Sequence, residues 1–106
     1  MMGAMPAYLI VNYNIEDGDA YAEYQKGAGP ALKIGADCKL LVLDPASEQV
    51  EGDGAGAQTV VLEFESKEKA KEIYESGDYQ AVLPTRLGAT DAHFAVLVDG
   101  FTMPGS

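Results

Sequence analysis

The chain has 106 residues, one cysteine, and 17 acidic against 7 basic side chains, for a formal charge of −10. That length makes one domain with a modest core. The charge excludes a surface built for nucleic acid or for an anionic membrane, since both need Lys and Arg to meet phosphates, and the lone Cys38 excludes an internal disulfide and fits a reducing, cytoplasmic setting.

Residues 7–14 (AYLIVNYN) are aromatic and branched and read as a strand. Asp17-Gly18-Asp19 supplies a turn and a helix cap. Apolar residues then recur at Tyr21, Tyr24, Ala28, Ala31 and Leu32, which is helical spacing. Gly27, Gly29 and Pro30 predict a kink or two pieces, and Gly35 a left-handed end. Residues 39–43 (KLLVL) form a second strand, apolar on both faces, and 44–57 a loop. Residues 59–65 (TVVLEFE) make the third strand. Ser66 caps a helix through Glu75, and Gly77 stops it. Asp78 caps a further short helix that Pro84 interrupts or tightens, and 93–98 form the last strand. No stretch reaches the ~20 apolar residues of a membrane span, and no secretory signal is read. Residues 1–5 read as an expression remnant and start, 6–101 as a single α/β domain, and 102–106 as a tail.

This order is the split βαβ plan of ferredoxin-like α+β folds, βαββαβ, with an extra short helix before the last strand. Right-handed crossovers favour an antiparallel sheet ordered 4-1-3-2 with the helices on one face. Strand alternation then assigns Val60, Leu62, Phe64, Phe94, Val96 and Val98 to the helix side, with Ala7, Leu9, Val11 and Tyr13. The opposite face carries Tyr8, Ile10, Asn12, Thr59, Val61, Glu63, His93, Ala95 and Leu97. Such a mixed face suits packing on a second copy around a partly polar cavity, hence a homodimer.

Two residues stand out chemically, the chain's only arginine and its only histidine. Arg86 is the one guanidinium fork available to hold a carboxylate or enolate; its alternative is an ion pair with one of many acids, or a carbonyl cap. His93 opens the last strand beside the end of the first, near Asn12 or Asn14. It is either a general base with Asn12 orienting it, or a hydrogen-bonded strand-end histidine. Tyr8, Ile10, Val61 and Leu97 would wall the cavity, and Tyr79 could turn its hydroxyl into it. No cofactor or metal is expected. The glycine-rich 52–57 leads into a strand rather than a helix, and Asp53 would repel phosphate. The acids of 44–57 lack calcium-loop spacing, and one His with one Cys makes no transition-metal set.

In their order and spacing, several segments together resemble the DUF1330 family. They are AYLIV at 7–11, YAEY at 21–24, Pro30, Glu51-Gly52, VLEF at 61–64, Tyr79-Gln80 with Arg86, and LVDG at 97–100. The resemblance implies a dimeric α/β barrel, a superfamily that includes cofactor-free monooxygenases and small isomerases. Two stretches depart from the family's pattern: Gly35-Ala36-Asp37-Cys38-Lys39, where a glycine pair and a basic residue are usual, and the longer, more acidic loop 44–57. Two functions stand at this point. One is a small-molecule-binding domain, with a cofactor-free reaction on a small anionic or enolic organic acid or aromatic. The other is a non-catalytic dimeric module for a metabolite or a protein.

Overall fold

The elements run β1 (Ala7–Ile15), α1 (Gly18–Leu32), β2 (Cys38–Asp44), β3 (Gln58–Phe64), α2 (Lys67–Tyr74), α3 (Gly77–Ala89) and β4 (Thr90–Asp99). They belong to a computed structural model that describes residues 6–101, with the backbone alone at His93. The expected start at 1–5 and tail at 102–106 lie outside the described residues, as does the His93 side chain.

The sheet is antiparallel with order β2-β3-β1-β4, the expected 4-1-3-2. β1 and β3 are its centre. Leu9, Val11 and Tyr13 on β1, and Leu62 and Phe64 on β3, meet Tyr21, Tyr24, Ala28 and Leu32 of α1, Ala70 and Ile73 of α2, and Tyr79 of α3. Each helix start has the cap its sequence offers. Asp17 accepts from the Ala20 amide (3.1 Å), Ser66 from Lys69 (3.1 Å) and Ser76 from Tyr79 (3.2 Å). These bonds satisfy amides that would otherwise lack partners in the first turn.

Three expectations need correction. α1 is continuous rather than broken. Its Pro30 falls in the last turn, and the left-handed end is Lys33 (φ 60°), not Gly35. Gly27 is instead a packing residue: a Cβ there would lie 2.7 Å from Val82 of α3. α3 is a full helix of 13 residues, capped by Ser76 rather than Asp78, and Pro84 sits inside it. The third correction concerns β4. Its pairing sets Leu97 opposite Leu9, Val96 opposite Ile10 and Phe94 opposite Asn12. Directly paired residues share a face, so Leu97 and Ala95 point toward the helices and Phe94, Val96 and Val98 away from them. The register shifts between Asn12 and Asn14, where Ala92 takes a left-handed φ of 51°. Choosing the more apolar set as the inner one fails here because both faces of β4 are apolar.

The helix-free face therefore carries Tyr8, Ile10, Val42, Val61, Phe94, Val96 and Val98. Phe94 and Val96 remain 49% and 45% exposed. Its Glu63 accepts from Tyr8 (3.2 Å) and pairs with Lys39 (3.8 Å), so charge on that face is locally cancelled. The bond to Glu63, with some burial, raises the Tyr8 pKa above the usual phenol value.

Candidate functional site

Arg86 comes from the last turn of α3, on the face turned into the protein. It is only 3% exposed, and its Nε and Nη1 have no hydrogen-bond partner. Among the described residues no carboxylate pairs with it, since the ion pairs found there all use lysines. Its company is phenolic. The guanidinium carbon stands 5.2 Å from the centre of the Tyr13 ring, and Tyr79, Tyr24, Tyr74 and Tyr13 all lie within electrostatic reach. Five of the chain's six tyrosines thus gather around its one arginine.

The tyrosines form a connected row. Tyr13 and Tyr21 are 5.7 Å apart by ring centre, Tyr21 and Tyr24 5.5 Å, Tyr24 and Tyr79 6.3 Å, and Tyr79 and Tyr74 4.8 Å. The hydroxyls of Tyr13 and Tyr21 hydrogen-bond each other, Gln58 donates to Tyr21 (2.8 Å), and Tyr24 and Tyr79 share a bond of 2.7 Å. Burial pushes the Tyr13 and Tyr24 phenols far above their usual range, reinforced by the neighbouring hydroxyls. They stay neutral at any working pH and serve as hydrogen-bond donors and acceptors, not as anions for Arg86.

Against this row lies a cavity of about 170 Å³. Tyr13, Tyr21, Tyr24 and Tyr79 line it together with the aliphatic side chains of Val11, Leu32, Leu40, Leu43, Val60 and Leu62. A second cavity of about 190 Å³ is bounded by Leu9, Tyr74, Ala95 and Leu97. An apolar void of about 150 Å³ holds benzene, so each has room for one ring or a short aliphatic body.

The residues expected at the site divide between the two sheet faces. Arg86, Tyr79 and Leu97 are on the helix side: Tyr79 lines the first cavity and Leu97 the second, while Arg86 lines neither and stands 5.2 Å from the centre of the Tyr13 ring, which does line the first. Tyr8, Ile10 and Val61 are on the open face. Asn12 is 6% exposed, and both ends of its amide are occupied. Its Oδ1 accepts from the Gly56 amide (2.6 Å), and its Nδ2 donates to the Gly56 carbonyl (3.1 Å) and the Thr59 hydroxyl (3.0 Å). It clamps the end of the 44–57 loop. The backbone of His93 lies in β4 next to Phe94, the partner of Asn12. Cys38 is buried, and burial pushes its thiol up to about 11, which makes it inert.

Sequence reasoning took Tyr21 and Tyr24 for packing, placed Tyr13 and Tyr74 facing inward, and gave none of the four a part in the site. The signal was there. Tyr13 on a core-facing strand position, with Tyr21, Tyr24 and Tyr79 on core-facing helix positions, brings four hydroxyls into an interior with few polar partners.

The domain of unknown function DUF1330 matches residues 6–101. The chain belongs to this family. No functionally curated protein matches it. Among solved structures, a protein of unknown function from Rhodopseudomonas palustris superposes with a TM-score of 0.74 at 14% identity, over 93% of this chain and 85% of that one. A dimeric ferredoxin-like protein of unknown function from Thermobifida fusca gives 0.64 at 13%, over 94% and 95%. A cofactor-independent oxygenase from Streptomyces nogalater gives 0.61 at 6%, over 97% and 100%. At these identities the likeness is one of fold, and the chemistry must be argued from the site.

Proposed function

We propose that this DUF1330 domain binds a small organic acid or acidic enol with an apolar body in the helix-side cavity, the Tyr13 ring and its neighbours turning aside so that Arg86, which stands behind them and does not line the cavity, anchors the anion. The buried, half-unpartnered guanidinium carries the reading. An unpaired buried charge costs several kcal/mol even after relaxation. A cation–π contact such as that with Tyr13 returns about 2 kcal/mol at best. An anionic ligand would balance that charge, with the Tyr24 and Tyr79 hydroxyls adding hydrogen bonds and the aliphatic lining residues taking its body.

Small carboxylates test this in a thermal-shift series. Benzoate, phenylacetate and hexanoate are expected to raise the melting temperature, and the matching neutral amides to raise it far less. Ligand at 100 times its dissociation constant adds about 2.7 kcal/mol of stability. Equal shifts from acids and amides would remove the anion from the proposal.

If the domain is an enzyme, the same site suits cofactor-free chemistry on a stabilised enolate. Asn12 is committed to Gly56 and Thr59, so proton handling falls to His93 in this reading. A non-catalytic binding module is the outcome if His93→Ala leaves ligand binding intact and no turnover is found.

The homodimer belongs to the same proposal. A continuous apolar sheet face with a cancelled charge pair is what a second copy would cover, and the Thermobifida relative of like fold is described as dimeric. Light scattering is expected to return twice the chain mass. Val96→Asp, at a position the monomer leaves half exposed, is expected to give folded monomer, because dimerisation would bury an unpaired carboxylate. An unchanged mass for that variant would move the interface elsewhere.

A further inference from the structure

The helix-side cavity has an unfinished wall. Leu40 and Leu43 of β2 and Ile34 before it line the cavity, yet they are 44%, 48% and 38% exposed. Only Cys38, at the start of β2, is buried in the core, and the rest of that strand, from Lys39 to Asp44, is exposed. β2 is also an edge strand, with its outer side unpaired. A register shift between Leu40 and Val42 lets it present apolar side chains both ways, with Leu41 and Val42 uncovered as well. The belt thus runs from the open sheet face, through Val61 and Val42, around the β2 edge and into the cavity mouth.

We infer that a second copy of this chain, in covering the open sheet face, also wraps the β2 edge and supplies the missing wall of the cavity. Each ligand site would then be completed by the partner, and ligand binding and dimerisation would reinforce each other by the same factor. This rests on the dimer reading above.

Three observations favour a second copy over a foreign partner. The belt is continuous with the face assigned to the dimer, and a two-fold axis buries the same patch on both chains at once. Burying one such side chain fully removes ~60–120 Å². About ten half-exposed ones therefore offer several hundred Å², approaching the ~800 Å² per partner of a standard interface. Finally, Lys39 and Glu63 cancel on this belt while the chain as a whole carries −10. Two such neutral patches can meet where two acidic surfaces would repel.

Cysteine labelling tests it. Leu43→Cys is compared, by its rate of reaction with a disulfide reagent such as DTNB, with Val50→Cys on a loop side chain that is 91% exposed. The native Cys38 is buried and slow. In the dimer, Cys at position 43 is expected to react at least tenfold more slowly than in the Val96→Asp monomer, and Cys at position 50 equally in both. If Val96→Asp fails to fold, dilution of Leu43→Cys below its dimer dissociation constant gives the same comparison. Saturating benzoate is expected to shift the dimer constant tighter. Equal labelling at position 43 in a proven dimer overturns the shared wall and leaves the dimer standing. A monomeric wild type by light scattering overturns both.

Discussion

Gly56→Ala is expected to destabilise the domain by about 3 kcal/mol or more, which for a chain of this size lowers the melting temperature by on the order of 10–20 °C. A Cβ at Gly56 would lie 2.2 Å from the carbonyl carbon of Tyr13, 2.5 Å from its oxygen and 2.6 Å from its Cα. These are backbone atoms of a central strand, so no rotamer change relieves the clash. The approach is held by Asn12, which bonds both the amide and the carbonyl of Gly56. Either the loop lifts and Asn12 loses buried partners, or β1 shifts and carries the Tyr13 ring off Arg86. Gly88→Ala is the control. Nothing lies within 4 Å of its added Cβ, and alanine suits the helix better, so it should be neutral or stabilising. A Gly56→Ala midpoint within about 1 kcal/mol of the wild type would show that the loop is not seated on β1 as described.

The sequence carried the architecture well and the site poorly, for identifiable physical reasons. Period-two patterning and the capping residues Asp17 and Ser66 report local geometry, and the crossover rule turns them into a sheet order, although the third cap falls to Ser76 and not to the expected Asp78. The buried set on β1 and β3 followed because one face of each is plainly more apolar. β4 broke that logic. FAVLV at 94–98 is apolar on both alternations, so polarity does not tell the core from an interface, and only the pairing of Leu97 with Leu9 decides it. The glycines of α1 misled in a related way. Gly27 and Gly29 read as breaks by propensity, whereas Gly27 is where Val82 of α3 comes close, a tertiary demand that a local rule does not contain. Arg86 was legible as a type of residue because it is the only one. Its surroundings were not, since the five tyrosines around it come from β1, α1, α2 and α3 and converge only once the helices pack.

Arg86→Met is expected to leave the unliganded domain folded and as stable as the wild type or more so, while abolishing the response to benzoate. Methionine keeps much of the length and apolar bulk of the stem. It removes a buried charge whose Nε and Nη1 have no acceptor, and exchanging such a charge for a well-packed apolar group is often neutral or stabilising by ~1–4 kcal/mol. The cost falls on the Tyr74 hydroxyl, which loses the guanidinium beside it. Ligand affinity should move the opposite way. A hydrogen bond to a charged group contributes about 1.5–3 kcal/mol, so losing two of them weakens a carboxylate by on the order of 100-fold or more. Arg86→Lys keeps a positive charge without the planar fork, and its affinity should fall between the two. Stability and affinity moving in opposite directions is the signature that separates a ligand anchor from a structural residue. If Arg86→Met unfolds without ligand, or still responds to benzoate as the wild type does, Arg86 holds the tyrosine row together and the anion site is not there.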